Sequence, residues 1–468
     1  MANWRLFFNP SGDAADIVSY GAALAEGRIV GKYQLSGGSL SDTLVIQGVK
    51  QKSIVAGADV KVDKEKSTKE NIDVAYASRQ GRRGAKPVGS INLSELMSKA
   101  SASFEAVDRD LDDPAVLIYT SGTTGKPKGV MLTHRNFYSQ CADVSTSVFP
   151  LGVSDTVVLV LPLYHVYGLS NGLLLGIFNG TRLALVPQYS PQALYDAIES
   201  TDATALIAVP AMYTQLVTLA KRKKAQMPKS LRICVSGGAP LPHRVLEDFE
   251  KEFHTRIAEG YGLTETTSAV CLNEFGENFK LGSIGPPAPG VEMAVFDDQN
   301  NPVPTGQEGE IVIKGDVVTK GYWKLPEETA STIVDGWLHT GDLGYVDEEG
   351  FFFITDRKKD LIIRGGYNIS PREVEEVVYT HPKVSEAAVI GVPDKRGEEA
   401  VKTFVVLREG ETATEREIVE FCEAHLSAYK VPKYVEFIDQ LPKSPTGKVL
   451  RKELRGESGE SDRMITEN

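Results

Sequence analysis

The sequence predicts an α/β fold in two parts: a large N-terminal domain of parallel or mixed sheets covered by helices, and a small α+β C-terminal domain. Three observations lead to this prediction. A chain of 468 residues is longer than one hydrophobic core normally serves, so two or three domains are expected. Short β-rich runs alternate with helical stretches from Leu111 onward. A second, more compact pattern begins after the charged segment 356–360.

The strands predicted for the large domain are short apolar runs separated by helix signals. Strands that alternate with helices pair in parallel beneath a helical cover, so these runs favour a largely parallel sheet. Ser190-Pro191 indicates a helix start, because the hydroxyl can cap the first turn and proline fits the first helical position. The predicted strands are VLIY at 116–119, TVVLV at 156–160, RLALV at 182–186, ALIAV at 205–209 and LRICVS at 231–236.

The small domain is predicted from two capping boxes and three strand-like runs. Ser370-x-x-Glu373 and Thr414-x-x-Glu417 each precede apolar residues at helical spacing, which is typical of a helix start. The runs AAVIGV at 387–392, VKTFVVL at 401–407 and YVEF at 434–437 read as strands. The sequence thus predicts two helices packed on a small sheet.

Composition narrows the class of protein. A formal net charge of -12 argues against nucleic-acid binding, which requires a basic excess or stripe. The N-terminus lacks the basic start and apolar core of a signal peptide, and the longest apolar run, 169–178, is too short to span a bilayer. We therefore expect that run to be a buried helix of a cytoplasmic protein. The widely spaced cysteines favour neither a zinc site nor disulfides; they are Cys141, Cys234, Cys271 and Cys422.

We expect four segments along the chain: a shortened or divergent N-terminal segment (1–110), the large domain (111–356), the small domain (357–456) and a disordered tail (457–468). The first segment yields no recognisable motif, and its stretch 61–93 is polar and charged, as in a loop or linker.

The most informative motif is the run YTSGTTGKPKGV at 119–130, which follows an apolar strand. Glycines let backbone N–H groups converge on an anion, hydroxyls add donors, and lysine adds positive charge. The run is not a Walker A loop, because Lys126 is followed by Pro127 instead of serine or threonine. It predicts a phosphate-binding loop of another kind, although a bare Gly/Thr loop can also be a flexible turn.

Other motifs follow strands of the large domain. His165, in LPLYHVYG at 161–168, could by itself be a packed core histidine, and SGGAPL at 236–241 could be a simple strand-to-helix turn. The run EGYGLTE at 259–265 offers an aromatic face for adenine in Tyr261, and Glu265 offers a hard oxygen suited to Mg²⁺. Near the C-terminal end lie GWLHTGD at 336–342, DRKKD at 356–360, the pair Gly365-Gly366, and PKSPTGK at 442–448.

Together these motifs resemble the adenylate-forming superfamily, which contains acyl-CoA synthetases, peptide-synthetase adenylation domains and firefly luciferase. The resemblance extends over residues 111–455 and is greatest to bacterial long-chain fatty-acid–CoA ligases. It implies that 111–356 is an ATP- and acyl-binding adenylation domain and that the small domain is mobile. It also implies ATP, Mg²⁺ and coenzyme A as ligands and a small-molecule acid as substrate.

The resemblance carries roles over to individual residues. For ATP it implies Thr120, Ser121, Gly122, Thr123, Thr124 and Lys128 at the phosphates, and Gly238, Glu259, Gly260, Tyr261, Thr264, Asp342 and Arg357 elsewhere in the nucleotide site. It implies Lys448 as the catalytic lysine, His165 at the acyl carboxylate, Tyr167, Gly168 and Gly237 in the acyl pocket, Glu265 on the metal, Lys359 as hinge, and Gly365 and Gly366 at coenzyme A.

The expected reaction is the ligation of a carboxylic acid, here a fatty acid, to coenzyme A through an acyl-adenylate. Two alternatives stay open. The acid could be aromatic or the acyl group could be delivered to a carrier protein, and the unusual N-terminal segment could leave a catalytically impaired nucleotide-binding protein. Acyl chain length, oligomeric state and weak membrane association are not determined by the sequence.

Overall fold

The structure is a computed structural model of the chain. It describes residues 108–120, 128–145, 148–223, 228–364, 367–394, 399–444 and 448–455, and five short strands before residue 108. The strands are β1 (Trp4–Phe8), β2 (Ile17–Tyr20), β3 (Gly31–Lys32), β4 (Ala75–Tyr76), β5 (Ile91–Asn92), β6 (Pro114–Thr120), β7 (Lys128–Thr133), β8 (Thr156–Leu159), β9 (Arg182–Leu185), β10 (Ala205–Ala208), β11 (Ile233–Ser236), β12 (Ile257–Leu263), β13 (Ser268–Leu272), β14 (Val291–Phe296), β15 (Gly309–Gly315), β16 (Ile333–Val334), β17 (Trp337–Val346), β18 (Phe352–Arg357), β19 (Ile362–Arg364), β20 (Tyr367–Ile369), β21 (Val384–Pro393), β22 (Glu399–Leu407) and β23 (Tyr434–Phe437).

The helices alternate with these strands. They are α1 (His134–Ser139), α2 (Leu175–Phe178), α3 (Pro191–Ser200), α4 (Pro210–Lys223), α5 (His243–Phe253), α6 (Pro326–Thr332), α7 (Pro371–Thr380) and α8 (Glu415–Glu423), with π-helical segments at Gln140–Ser145 and Gly168–Leu174 and a 3₁₀ turn at Thr264–Thr266. Within the described residues, no helix combines the length and the apolar character that crossing a membrane requires.

The main sheet confirms the predicted α/β fold. Its strand order is β13-β12-β11-β10-β8-β9-β2-β1-β3, and the strands β9, β8, β10, β11 and β12 pair in parallel. Every residue of β8, β10 and β11 is buried, as expected for parallel strands with helices on both faces. Tyr213 of α4 and Phe249 of α5 are both fully buried against this sheet, and their rings meet edge to face at 5.1 Å.

One predicted strand lies outside that parallel sheet. The run at 116–119 belongs to β6, which pairs with β7 in an antiparallel hairpin. The reason is the short connection at 121–127, since a parallel pair needs a crossover of a dozen or more residues. The run 169–178 is a buried helical stretch as predicted, starting in the second π-helical segment and continuing through α2.

A second sheet carries part of the candidate site. Its strands run β14-β15-β17-β16, and β18 also pairs with β17, all antiparallel. The register of β17 and β18 sets Asp342 directly opposite Arg357.

The C-terminal lobe, residues 360–455, has an apolar core of its own. Strands β21, β22 and β23 form its sheet, and α7 and α8 pack on one face through Val374, Val378 and Ile418, all fully buried. This agrees with the predicted small α+β domain. The predicted tail after residue 456 and most of the N-terminal segment lie outside the described residues.

Both predicted capping boxes are only half formed. Ser370 and Thr414 do cap α7 and α8, each accepting a hydrogen bond from the backbone N–H three residues on. The two glutamates do not reach back. Glu373 accepts from the Lys430 ammonium at 2.6 Å and Glu417 lies 2.8 Å from the Lys383 ammonium, so ion pairs replace the reciprocal hydrogen bonds.

Candidate active site

The predicted site residues gather at the carboxyl ends of the parallel strands. Ligands of open α/β sheets bind at this edge, because loops from neighbouring strands converge there. His165 follows β8, Gly237 and Gly238 follow β11, and Tyr261 lies near the end of β12. The parallel register of these strands therefore brings motifs that are far apart in the sequence to one edge.

Asp342 is the centre of a hydrogen-bonded trio. Its Oδ2 accepts from the Tyr261 hydroxyl at 2.6 Å, and its Oδ1 accepts from Arg357 Nε at 2.7 Å. Asp342 is 3% exposed, so the hydrogen bond from Tyr261 and the ion pair with Arg357 take the place of water around its carboxylate. Burial and the neighbouring carboxylate raise the pKa of Tyr261, and the hydroxyl remains a donor at physiological pH.

The trio is built by the local backbone as well as by side chains. Gly341 adopts a left-handed φ of +73°, which turns β17 just before Asp342. The Gly341 N–H donates to Glu310 Oε1 at 2.9 Å, and the Asp342 N–H donates to Thr340 Oγ1 at 3.0 Å. A carboxylate has about four lone-pair sites. Asp342 can therefore accept further hydrogen bonds from two ligand hydroxyls while keeping its present partners.

A second cluster joins Lys128, Tyr322 and Glu265. The Tyr322 hydroxyl donates to Glu265 Oε1 at 2.9 Å, and the Lys128 ammonium lies 4.9 Å from the centre of the Tyr322 ring. The segment carrying Tyr322 is tied to β7, since the Trp323 N–H donates to the Gly129 carbonyl at 2.7 Å. The Tyr322 side chain thus contacts a cation at its ring face and a carboxylate at its hydroxyl.

The donor set suits a magnesium ion that is held mainly by substrate. Within the described residues, no group of three or more histidine, cysteine, aspartate or glutamate side chains could hold a metal ion. Magnesium is commonly bound by one or two carboxylates together with substrate phosphates. Glu265, which receives the single Tyr322 hydrogen bond on Oε1, fits the role of such a carboxylate.

Gly237 is enclosed by other protein atoms. A Cβ added there would lie 3.2 Å from the Tyr167 ring and 3.3 Å from the Gly260 carbonyl oxygen. A Cβ on Gly168 would come within 2.5 Å of the Pro162 carbonyl oxygen. Packing therefore excludes a side chain at Gly168 and leaves little room for one at Gly237, whereas Gly238 is favoured by its left-handed φ of +81°. Tyr167 itself is buried and fills the space beneath Gly237.

Lys448 of the C-terminal lobe reaches this edge of the large domain. Its side chain keeps contact with solvent, but protein surrounds the ammonium closely enough that desolvation lowers the pKa of Lys448 to about 8, with repulsion from Arg357 adding to the effect. Burial first, and then the Lys448 charge, lower the pKa of His165. Lys448, Arg357 and His165 are therefore close enough to interact electrostatically.

The loop that bears Lys448 is anchored on both sides. Before it, the Lys443 ammonium bonds to Glu386 at 2.6 Å; after it, Arg451 bonds to Glu375 at 2.6 Å. Arg451 is largely enclosed, and its partner Glu375 is 13% exposed on its side chain. The position of Lys448 relative to the lobe is consequently fixed by ion pairs within the lobe.

The remaining predicted site residues are either outside the described residues or at the margin of the site. Ser121, Gly122, Thr123 and Thr124 of the phosphate loop, and Gly365 and Gly366, lie outside the described residues. Thr120 ends β6 and Thr264 opens the 3₁₀ turn, both partly exposed at the site. Burial and the Arg357 charge lower the pKa of Lys359.

Two residues at the site were not predicted. Tyr322 links Lys128 to Glu265, and Arg372 lies 3.9 Å from Glu259 Oε1. The Glu259 side chain, predicted at the nucleotide, thus faces an arginine of α7. The glycine-aromatic run at 321–323 was the available signal for Tyr322. Arg372 gave none, because an arginine in the first turn of a helix usually faces solvent.

Comparisons with known proteins agree with the sequence resemblance. A family model described as AMP-binding enzyme matches residues 39–323, and one described as AMP-binding enzyme C-terminal domain matches residues 373–448. The first match begins inside the segment 1–110, upstream of the motifs that carry the resemblance.

Individual relatives extend this agreement. The long-chain-fatty-acid–CoA ligase of Bacillus subtilis (strain 168) is 43% identical over 351 residues, which cover 75% of this chain and 62% of the relative. The 2-succinylbenzoate–CoA ligase of Bacillus cereus (strain ATCC 10987 / NRS 248) is 41% identical over 374 residues, 79% of this chain and 76% of the relative. The crystal structure of ATP-bound MatB from Rhodopseudomonas palustris superimposes with a TM-score of 0.72 at 35% identity, covering 78% of this chain and 72% of that one.

Proposed function

Since the chain belongs to the AMP-binding enzyme family, we propose that it is an ATP-dependent acid–CoA ligase, which joins a carboxylic acid first to AMP and then to the thiol of coenzyme A. The chain spans 62% of the length of its Bacillus subtilis ligase relative. That this chain carries out the complete reaction of the relative is therefore a proposal.

The observation that carries the proposal is the position of Lys448. An ammonium from the C-terminal lobe is near enough to the Asp342–Arg357 pair and to His165 to interact with them electrostatically, at the carboxyl ends of the parallel strands. Its pKa is lowered chiefly by desolvation and further by nearby positive charge, and an anionic substrate would relieve the second of these effects. A site that gathers cations around one carboxylate suits a nucleotide triphosphate together with an acid.

The first half-reaction joins two anions. A carboxylate oxygen attacks the α-phosphorus of ATP, the bond to the bridging oxygen breaks, and pyrophosphate leaves. Positioning and electrostatic stabilisation are the main needs, because a carboxylate at neutral pH already is the nucleophile. Lys448 would bridge the carboxylate and the α-phosphate, and Lys128 would hold the leaving phosphates.

The remaining residues bind and orient the nucleotide. Asp342 would accept hydrogen bonds from the ribose hydroxyls, Tyr261 would offer its ring to adenine, and His165 would border the acyl carboxylate. Its neutral imidazole accepts from the Tyr167 N–H through Nδ1 at 3.2 Å, which leaves Nε2 protonated as a donor. When bound, Mg²⁺ would neutralise phosphate charge, with Glu265 as its protein ligand.

The second half-reaction requires a rearrangement. The thiol sulfur attacks the acyl carbon of the mixed anhydride and AMP leaves, so we propose that coenzyme A approaches from the side that Lys448 now occupies. We propose that the C-terminal lobe swings about Lys359, bringing the segment with Gly365 and Gly366 to the site. A closed site at the adenylate stage also protects the anhydride from water.

For the acid we propose a fatty acid, which the similarity to long-chain-fatty-acid–CoA ligases supports. An aromatic acid is the second candidate, because two 2-succinylbenzoate–CoA ligases are similarly identical to this chain and both are covered over more of their length than the fatty-acid ligases. A cytoplasmic location remains a prediction of the sequence.

The test is pyrophosphate release from ATP with a panel of acids, in the presence and absence of coenzyme A. We expect release with palmitate or with an aromatic acid such as benzoate, and formation of the matching thioester only when coenzyme A is added. Binding of ATP without pyrophosphate release, whichever acid is supplied, would refute the ligase activity.

A further inference from the structure

The first turn of α7 is docked onto the end of β18. The Ser370 hydroxyl donates to Asp356 Oδ2 at 2.5 Å, and the Arg372 backbone N–H donates to the same oxygen at 3.3 Å. Asp356 is 8% exposed, so its carboxylate serves as a second cap for α7 from another part of the chain. Burial raises the pKa of Asp356 despite these bonds, which shows how closely the two elements are packed.

The Arg372 side chain adds two contacts to the large domain. Its Nη1 donates to the Ile354 carbonyl at 2.7 Å, and its Nη2 lies 3.9 Å from Oε1 of Glu259 in β12. The two side chains are 13% and 10% exposed, so the contact is largely shielded from water and salt. Arg372, in the first turn of α7, therefore contacts both the second sheet, through β18, and the main sheet, through β12.

These contacts cross the proposed hinge. Ile354 and Asp356 precede Lys359, whereas Ser370 and Arg372 follow it. A rotation of the C-terminal lobe about Lys359 would carry α7 away from β18 and break each of the four contacts. The same rotation would remove Lys448 from the Asp342–Arg357 pair.

We propose that Arg372 is a positioning residue that holds the C-terminal lobe in the orientation in which Lys448 faces the nucleotide site. On this proposal, which rests on the proposed ligase function, Arg372 acts in acyl-adenylate formation and is dispensable once the lobe has turned for thioester formation. The proposed role is exerted through the placement of Lys448.

The charge of Glu259 explains why an arginine occupies this place. Burial raises the pKa of Glu259 to about 7, attraction to Arg372 opposes the rise, and the nearby Glu376 of α7 adds to it. Without the guanidinium, the docked lobe would enclose a carboxylate with no compensating charge. Removal of Arg372 should therefore disfavour the docked orientation by more than the loss of its own hydrogen bonds.

Other ion pairs of α7, unlike the contact between Arg372 and Glu259, do not cross the proposed hinge. Glu373 with Lys430 and Glu375 with Arg451 lie wholly within the C-terminal lobe and move with it in any orientation. Ser370 and Arg372, by contrast, join the first turn of α7 to residues before the hinge through the contacts described above, and the Ser370 hydroxyl also lies 3.0 Å from the Thr355 carbonyl oxygen. They are the ones expected to distinguish the two half-reactions.

The kinetic test separates the half-reactions in Arg372→Ala. Adenylation is measured by ATP–pyrophosphate exchange with palmitate and with benzoate, and thioester formation by conversion of each synthetic acyl-adenylate with coenzyme A. We expect the exchange kcat to fall roughly 10- to 100-fold. Thioester formation should change by less than about twofold, within the range of surface substitutions. Arg372→Lys should recover part of the loss.

Arg416→Ala is the matched control, because Arg416 forms an Arg–Glu pair with Glu420 inside the lobe. It should leave both half-reactions unchanged. Thermal unfolding of each variant identifies a general loss of structure, which would depress both half-reactions together. An equal loss in both, or full exchange activity in Arg372→Ala, would overturn the positioning role.

A second measurement does not depend on activity. Spin labels at Lys251→Cys on α5 and Glu415→Cys on α8 report the distance between the large domain and the lobe, and the four native cysteines are buried. We expect the population at the docked distance to fall in Arg372→Ala and to persist in Arg416→Ala. Identical distance distributions would refute the proposal. Loss of the docked population in a protein that adenylates no acid would refute only the ligase function.

Discussion

The Asp342 trio and the Lys448 loop are two halves of one site, and they are stabilised in opposite ways. Asp342 has a partner on each oxygen, Tyr261 and Arg357, and is almost completely buried. Lys448 has no carboxylate within ion-pair distance among the described residues. Desolvation is the main cause of its lowered pKa, repulsion from Arg357, Lys359 and Arg451 adds to the fall, and attraction to Asp342 opposes it. The Asp342 half is therefore paired within the folded chain, whereas the Lys448 half is an ammonium without a close carboxylate partner.

The difference indicates which of the two groups gains more electrostatic stabilisation when substrate binds. A paired, buried carboxylate gains little from further charge neutralisation, but it holds a ligand in a fixed place. An ammonium surrounded by other cations gains much when a triphosphate and a carboxylate arrive. We infer that the large domain determines where the nucleotide lies, and that the lobe supplies the interaction that grows as charge develops.

The largest expected effect is that of Lys448→Ala. Adenylation, measured as ATP–pyrophosphate exchange, should fall by a factor of roughly 100 or more, since the charge that bridges the two anions is lost. Conversion of supplied acyl-adenylate to thioester should largely survive. Lys452→Ala, on an exposed lysine four residues on, is the matched control and should leave both steps unchanged. Equal losses in the two steps would contradict the division of roles.

Asp342→Asn tests the half of the site that contains Asp342, Tyr261 and Arg357. The substitution keeps the shape of the side chain but removes the charge that pairs with Arg357. The KM for ATP in adenylation should therefore rise roughly 10-fold or more. The expected kcat loss is smaller than that of Lys448→Ala. Asp335→Asn, in an exposed turn before β17, serves as the control. A pure kcat effect with unchanged KM would argue against a nucleotide-holding role.

The pH dependence sharpens the comparison. The pKa of Lys448 is lowered to about 8, so its ammonium is present below pH 8 and is lost as the pH rises through that value. In adenylation, kcat/KM for ATP reports the free enzyme and should fall roughly tenfold for each pH unit well above 8. Thioester formation from supplied adenylate should show no such limb at this pH. A shared alkaline limb would mean that another group titrates.

The features that could be predicted from the sequence are those fixed locally. The parallel strands, the helix caps at Ser190, Ser370 and Thr414, and the run of motifs at strand ends each depend on a few neighbouring residues. Because parallel strands share an edge, the motif order alone brings His165 and Tyr261 together.

The features that could not be predicted depend on distant partners. Glu373 and Glu417 fit a capping box by spacing, but lysines from elsewhere in the lobe compete for their carboxylates. Glu259 stands in a nucleotide motif, yet the structure turns its side chain toward Arg372. Such pairs are decided by the docking of whole elements, which no short pattern encodes.

Tyr322→Phe gives the smallest effect and tests the cluster that the sequence did not predict. The variant removes the hydroxyl that donates to Glu265 at 2.9 Å but keeps the ring beneath Lys128. Freed of this donor, Glu265 becomes less well oriented, so we expect the Mg²⁺ concentration at half-maximal adenylation to rise by roughly 2- to 10-fold. Tyr345→Phe, in β17 and stacked on Phe353, is the control. If the Mg²⁺ dependence is unchanged while the KM for ATP rises, then Tyr322 serves the phosphate side through Lys128, and the metal-ligand role of Glu265 loses its support.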